Sequence, residues 1–140
     1  MGIIMTIIEH KRFDMERALY GSNGVLVKNC SFDGPADGES ALKEAENIEI
    51  EHCLFNLRYP LWHNRVLKIK DSEMTKHCRA ALWYSEQVEI TDSRLHGIKA
   101  LRECSDIRIL NCDIISPEFG WFTRGIHMED TTAASEYFMM

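Results

Sequence analysis

The sequence has little of what would tie it to a membrane or to nucleic acid. No apolar run approaches the ~20 residues that a membrane-spanning helix needs. The 16 basic residues are outnumbered by 22 acidic ones, which gives a formal net charge of −6. Because no basic cluster offsets this charge, it argues against nucleic acid or an anionic membrane as a partner. The apolar N-terminal stretch is short and lacks a basic start, so it does not resemble a signal peptide.

Cysteine is also used sparingly, with five residues and no C-x-x-C motif. An odd number in this arrangement favours free thiols over a disulfide framework and predicts a cytoplasmic protein. His52–Cys53 and His77–Cys78 are adjacent pairs, which is poor spacing for a zinc site. The chain also lacks a phosphate-binding loop, a dinucleotide fingerprint, H-E-x-x-H and a Ser-His-Asp order. We therefore expect no metal and no cofactor.

What the chain does contain is a repeat. Imperfect copies of N-I-E-I-E-H-C-L-F, residues 47–55, occur at intervals of 19 to 23 residues. Each copy has a small residue at the place of Cys53, and these six residues are Cys30, Cys53, Ser72, Ser93, Cys112 and Thr131. A period of about 20 residues is typical of a solenoid. The beaded apolar pattern inside each copy indicates strands rather than helices.

The alternation of each copy slips at one fixed place. Ile48 and Ile50 alternate as in a strand, but the next small or apolar residues are Cys53 and Phe55, so residue 52 must bend the chain. The residues at this position are Asn29, His52, Asp71, Asp92, Asn111 and Asp130. Asn, Asp and His are the non-glycine types most enriched in the left-handed backbone region. The sequence therefore predicts a strand, a left-handed bend and a second strand in each turn.

One outward position lies between the two inward residues of each copy, such as Ile48 and Ile50, and its charged residues alternate in sign from Glu49 onward. The column at this position is Leu26, Glu49, Lys68, Glu89, Arg108 and His127. These charges could form a metal or substrate site. The simpler interpretation is an exposed ladder between strands roughly 4.8 Å apart, in which each opposite pair contributes about 0.2–1 kcal/mol.

A leucine lies eleven residues before most of these anchors. Leu19, Leu42, Leu61, Leu82 and Leu101 would form an inward stack on a further strand of each turn. Three short strands per turn predict an all-β fold, a short single-stranded right-handed parallel β-helix of about six turns of about 20 residues. We expect one domain over residues 1–140, with residues 1–15 as an N-terminal strand or cap and residues 16–136 as repeats. Residues 137–140 would begin an incomplete seventh turn.

Three segments resemble a known family. G-E-S-A-L-K-E (residues 38–44), R-Y-P-L-W-H (58–63) and R-A-A-L-W-Y (79–84) are similar to a bacterial domain-of-unknown-function family of the pectin-lyase-like β-helix superfold. The resemblance runs from about Glu16 to the C-terminus and implies a β-helix, but it carries no established activity. Members of that family are roughly twice as long, which suggests a shortened member.

The C-terminal end suggests an interface. Met139 would take the inward leucine position of a seventh turn, and the turn is not closed. Uncovered strand edges at the end of a solenoid promote association. We therefore expect a homo-oligomer formed through this open end.

The residue after each inward leucine should point outward. This column is Tyr20, Lys43, Trp62, Trp83 and Arg102, with Trp121 next if the sixth turn is one residue short. Two tryptophans on adjacent turns, flanked by cations, predict an apolar surface patch that binds a carbohydrate or a protein ligand. The alternative is that a loop or the N-terminal segment covers the indoles and makes them part of the core.

Beside this column lie Glu44, His63, Tyr84 and Glu103. Glu44 and Glu103 are three turns apart, about 14 Å, which exceeds the ~5–9.5 Å of glycosidase carboxylate pairs. His63 between Glu44 and Tyr84 is therefore the only acid–base candidate, with Glu44 as its partner.

Two functions are compatible with these features. The first is a non-catalytic binding or scaffold module whose ligand-binding residues are Trp62, Trp83, Tyr84, Lys43 and Arg102. The second is a carbohydrate-active enzyme, of lyase or glycoside hydrolase type, with the tryptophans as a sugar platform and His63 with Glu44 as catalytic residues. Only the superfold favours the second function, and a fold does not by itself imply a function.

Overall fold

A computed structural model describes residues 4–139, and this part of the chain is built of strands and turns. None of the described residues belongs to a helix long and apolar enough to cross a membrane. The strands are β1 (Thr6–Glu9), β2 (Arg12–Phe13), β3 (Asn23–Lys28), β4 (Ser31–Phe32), β5 (Glu46–Glu51), β6 (Leu54–Phe55), β7 (Arg65–Lys70), β8 (Glu73–Met74), β9 (Glu86–Thr91), β10 (Arg94–Leu95), β11 (Ala100–Arg102), β12 (Ser105–Leu110), β13 (Asp113–Ile115), β14 (Glu118–Trp121), β15 (Arg124–Glu129), β16 (Thr132–Ala134) and β17 (Tyr137–Phe138).

The strands stack into a parallel β-solenoid, so the predicted all-β fold is confirmed. One sheet has seven strands in the order β1-β3-β5-β7-β9-β12-β15, and a second has seven in the order β16-β13-β10-β8-β6-β4-β2. A third contains β11, β14 and β17. The solenoid thus has seven turns rather than six, because the segment expected to be a strand or a cap supplies both β1 and β2 and completes a further turn. Residues 1–3 of that segment lie outside the described residues.

The bend between the two long sheets has the predicted backbone conformation. The six bend residues have φ angles of 48° to 52°. His10 adopts 57° at the same place in the first turn. The phase slip in the sequence therefore corresponds to one left-handed residue per turn, which turns the chain from the first sheet to the second.

Replacing Asn29 with valine is expected to lower the free energy of unfolding by about 1–2 kcal/mol, because a β-branched residue is strained in the left-handed region. Asn29 is exposed, with φ of 52°. Asn29→Gly is the matched control and should be close to neutral, since glycine adopts this conformation without steric cost. Urea unfolding followed by circular dichroism measures both. Equal losses for the two variants would contradict the backbone explanation.

Side chains of equal type stack inside the solenoid. Phe32 and Phe55 lie on adjacent turns with ring centroids 4.7 Å apart and planes 2° apart. Phe13 extends the stack at one end, 5.2 Å from Phe32. Ile48 and Ile50 are buried on the other side of the bend, as the alternation predicted. The core is thus a set of columns parallel to the solenoid axis.

The small residues after the bend form a hydrogen-bonded column. The Cys53 amide donates to Ser72 Oγ at 3.1 Å, and the Ser72 amide donates to Ser93 Oγ at 3.1 Å. Cys53 Sγ donates to Glu51 O at 3.3 Å. All five cysteines are free and buried. Hydroxyl and thiol groups share this position because each can donate to a carbonyl in a narrow core.

Thiol-specific reagents are expected to leave the native protein unmodified at about pH 8. Burial raises the pKa of Cys53 to about 11 and that of Cys104 to about 11, so little thiolate is present and access is blocked. Burial also raises the pKa of Cys78 and Cys112. Ellman's reagent should therefore react rapidly with all five thiols only after denaturant is added. Prompt reaction of a thiol in the native state would contradict this picture.

The inward leucine stack is confirmed, but the third side of most turns is not the predicted strand. Leu42, Leu61, Leu82 and Leu101 are fully buried with φ of 55° to 65°. Leu19, in the same conformation, is partly buried against the core. Alternate residues on this side are left-handed; in one turn they are Tyr59, Leu61 and His63. Backbone hydrogen bonds still join the turns, as from the Leu61 amide to Ala41 O at 2.9 Å. Burial of a leucine, worth about 1.5–3 kcal/mol, offsets the roughly 1–2 kcal/mol of left-handed strain.

The sixth turn is aligned without the gap that the sequence suggested. Arg102 pairs directly with Trp121, and Ala100 pairs with Phe119. Gly120 therefore occupies the leucine position, and a Cβ there would lie 2.3 Å from Met139 Sδ. Met139 packs against the core above it, in the place predicted for the seventh turn. Met140 lies outside the described residues.

The predicted charge column is in register: Glu49 pairs with Lys68 and Glu89 with Arg108. Two ion pairs lie in a neighbouring column, where Arg65 is 3.6 Å from Glu46 and 3.2 Å from Glu86, and His127 of the predicted column lies 2.7 Å from Glu129 on its own strand. These side chains are largely exposed, so each pair contributes little to stability.

Candidate binding surface

The five predicted ligand-binding residues lie together on the third side of the solenoid. Trp62 and Trp83 stack with ring centroids 5.2 Å apart and planes 8° apart. Lys43 Nζ lies 5.9 Å from the ring centre of Trp62, and Arg102 Cζ lies 5.0 Å from that of Trp83. We call Lys43, Trp62, Trp83, Arg102 and Trp121 the tryptophan column. Its repeat from turn to turn follows from the position after each inward leucine.

Trp62 and Trp83 present their edges rather than their faces. Their faces are shared with each other and with Lys43 or Arg102, because the stack runs from turn to turn. Trp62 Nε1 donates to Ala80 O, and Trp83 Nε1 donates to Lys99 O at 2.7 Å. Both side chains are half-buried. This arrangement differs from the flat apolar platform expected from the sequence and from an indole pair enclosed in the core.

The residues beside the column include both proposed catalytic groups. The His63 ring stacks on Tyr84, with centroids 5.1 Å apart. Tyr84 packs edge-on against both tryptophans, 6.3 Å from each. Glu44 and His63 lie on adjacent turns and are exposed, and no hydrogen bond or ion pair under 4.0 Å joins them in the described part of the chain. The structure therefore brings Tyr84 into the aromatic cluster and leaves His63 and Glu44 at its edge.

A small cleft lies at the far end of the column. Its walls are Trp83, Arg102, Trp121, Lys99 and Glu118, and it holds about 40 Å³. Lys99 Nζ is 3.6 Å from a Glu118 carboxylate oxygen. Arg102 Nε is buried and has no hydrogen-bond partner among the described residues. Sequence reasoning identified Arg102 by its column but gave no signal that its guanidinium would be unsatisfied.

Four cations around the column lack an acidic partner. Arg17, Lys43, Arg79 and Arg102 are among the basic side chains of residues 4–139 that have no carboxylate oxygen within 4.0 Å. Arg58 differs, because it lies 3.1 Å from Asp37 and 3.7 Å from Glu39. The column therefore offers cations with which the carboxylates of a ligand could pair.

A second, polar groove follows the bends on another side. Its lining includes His52, Asp71, Asp92, Glu73 and Arg94. His52 Nε2 is 3.7 Å from Asp71, and Asn111 donates to Asp92 at 2.6 Å. No group of three metal-binding side chains converges anywhere in residues 4–139. The acidic bend residues thus pair with neighbouring turns, and the groove does not contain the tryptophans.

Fold and surface together define a parallel β-solenoid with an aromatic and cationic column on one side. The chain belongs to the family described as "Protein of unknown function (DUF3737)", whose sequence profile matches residues 6–140. The family assignment agrees with the domain-of-unknown-function resemblance noted in the sequence, whereas the pectin-lyase-like part of it is not confirmed.

One solved structure similar to this chain is that of QnrB1, a plasmid-mediated fluoroquinolone resistance protein. The match has 9% sequence identity and a TM-score of 0.32, and it covers 93% of this chain and 92% of the other. No curated protein sequence matches the chain.

Proposed function

We propose that the protein is a non-catalytic binding module that recognises an acidic segment of a partner protein through the tryptophan column. The observation that carries this proposal is the stack itself, in which Lys43 and Arg102 flank Trp62 and Trp83. Such a surface offers a partner protein indole edges for apolar contact and unpaired cations for pairing with carboxylates. Tryptophan, tyrosine and arginine are the residue types most enriched at the energetic centres of protein interfaces.

Charge complementarity selects the partner. Unpaired cations around the column would attract carboxylates, and a partner that neutralises them also removes their mutual repulsion. An acidic segment lying along the column could contact successive turns, since these are spaced by the parallel-strand distance of roughly 4.8 Å.

The alternative function, a carbohydrate-active enzyme, has less support. A sugar ring stacks on an exposed aromatic face, and the faces of Trp62 and Trp83 are shared with each other and with cations. His63 and Glu44 could act as an acid–base pair only if a substrate brought them together. The observation in its favour is that both side chains are exposed beside the aromatic cluster.

A fluorescein-labelled peptide of alternating glutamate and glycine tests the proposal by fluorescence anisotropy. We expect saturable binding that weakens as salt is added, with no binding of the corresponding lysine peptide. A double variant, Lys43→Glu with Arg79→Glu, should bind at least about tenfold more weakly, equivalent to roughly 1.4 kcal/mol. Lys68→Glu with Lys70→Glu, both on the first sheet, is the control of equal charge change and should bind as the unmodified protein does.

Absence of binding by the acidic peptide, or equal weakening by the double control Lys68→Glu with Lys70→Glu, would overturn the protein-binding proposal. A parallel titration with neutral and uronic-acid oligosaccharides addresses the alternative. Protection of the tryptophans from acrylamide quenching by a sugar, without protection by the peptide, would replace the proposed function with the carbohydrate one.

A further inference from the structure

We infer that the cleft at Arg102 is a seat for a single carboxylate group, such as one glutamate or aspartate side chain of the acidic segment. This inference rests on the proposed function and specifies where the segment is anchored. The cleft lies between Trp83 and Trp121, at the end of the tryptophan column. Among the described residues, no acidic side chain without a cationic partner lies in the cleft, so none is available to pair with Arg102.

The Arg102 guanidinium is held in place by packing. Its Cζ lies 5.0 Å from the Trp83 ring centre and 5.7 Å from that of Phe122. Its Nε is buried without a hydrogen-bond partner in residues 4–139, so the terminal NH₂ groups are the donors that a ligand in the cleft could reach. No carboxylate oxygen of the described residues lies within 4.0 Å of this side chain, so a bound carboxylate would pair with a cation that is already ordered.

The acid nearest to the cleft is already engaged. Glu118 is the carboxylate among the lining residues, and it lies 3.6 Å from Lys99 Nζ. Lys99 therefore balances Glu118, and the charge of Arg102 remains uncompensated. Since the two terminal NH₂ groups of Arg102 present parallel N–H donors, the ligand that suits them is planar with two acceptor oxygens.

The size of the cleft suits a carboxylate. The cleft of about 40 Å³ holds about three water-sized groups at roughly 10–15 Å³ each. This matches the two oxygens and one carbon of a carboxylate. Indole walls on both sides lower the local polarity, so a charged hydrogen bond inside the cleft would be stronger than one in open solvent.

The test uses sodium acetate as the probe, with sodium chloride at matched ionic strength as the reference. In ¹H–¹⁵N spectra that detect arginine Nε–H groups, the Arg102 resonance should shift with acetate in a saturable manner, because binding at the terminal NH₂ groups changes the environment of the whole guanidinium. It should stay in place with chloride. Arg108→Lys, on the exposed side of the first sheet, is the control and should leave this response unchanged. Arg102→Lys keeps the charge and removes the fork, so the Glu-Gly peptide should bind it at least about fivefold more weakly.

The carboxylate seat and the proposed function fail in distinguishable ways. No saturable shift of Arg102, or equal peptide affinity for Arg102→Lys and the unmodified protein, overturns the carboxylate seat while leaving peptide binding by the column intact. A saturable acetate shift without any peptide binding would retain a small carboxylate site and overturn the proposed function. Circular dichroism melting of Arg102→Lys separates loss of the site from loss of the fold. If Arg102→Lys does not fold, the acetate response of the unmodified protein still decides the inference.

Discussion

Replacing Phe55 with alanine is expected to lower the free energy of unfolding by about 3–5 kcal/mol. The Phe55 side chain is fully buried and stacks on Phe32 at 4.7 Å. Truncation would remove the transfer energy of the ring and leave a cavity between two turns. The strands on either side are joined by ladder hydrogen bonds, so the turns cannot close the gap by moving together. Urea unfolding monitored by circular dichroism measures the loss.

Ile7→Ala is the control for this variant, because the Ile7 side chain is 59% exposed on β1. Its substitution should cost less than about 1 kcal/mol, since little apolar surface returns to water. A difference between the two variants of less than about 1 kcal/mol would mean that the phenylalanine column is not a well-packed core. A lower slope of the unfolding transition for Phe55→Ala would indicate that the turns unfold separately, as solenoid repeats can.

The bend of each turn could be predicted from the sequence because two independent signals coincide there. The apolar alternation slips by one residue, and the residue at the slip is always Asn, Asp or His. Both signals are local, so no knowledge of neighbouring turns is needed. The inward leucines are a second local signal, and they place the tryptophan column correctly because the residue that follows faces outward.

Other features depend on contacts between turns and left no local signal. The left-handed leucines are one case, since leucine has no intrinsic preference for that region and adopts it here because the buried position requires it. A second buried polar column is another: Asn64 Nδ2 donates to Leu42 O at 2.8 Å, and Ser85 Oγ donates to Leu61 O at 2.8 Å. In the sequence, the only sign of this polar column is a small or polar residue three positions after each inward leucine.

The orientation of the indoles was also beyond the sequence. An outward column predicts that Trp62 and Trp83 lie on the surface, but not whether they lie flat or stand on edge. Their stacking follows from the spacing of the turns, which is close to the distance at which aromatic rings pack face to face. The indole N–H donors then reach carbonyls of the following turn, as Trp83 reaches Lys99. These bonds fix the rings on edge.

Gly97→Ala is the second substitution for which we expect a large effect, a loss of about 3 kcal/mol or more. Gly97 is buried, and a Cβ at this position would lie 2.1 Å from the carbonyl oxygen of Cys78 on the preceding turn. The obstacle is backbone, so it cannot swing aside as a flexible side chain would. Overpacking typically costs about 1–3 kcal/mol, and a shift of the backbone places this substitution at or above the upper end of that range. Thermal and urea unfolding of the variant measure the loss.

Gly21→Ala separates this steric effect from the conformational freedom of glycine. Gly21 has φ of 67°, and a Cβ added there would have nothing within 4 Å, whereas Gly97 is outside the left-handed region. Alanine at position 21 should therefore cost only about 1–2 kcal/mol, the strain of a left-handed alanine. If Gly21→Ala were the more damaging of the two, backbone strain rather than close approach of the turns would dominate glycine use in this solenoid. A larger loss for Gly97→Ala would show that the separation of adjacent turns is fixed closely enough to exclude a single methyl group.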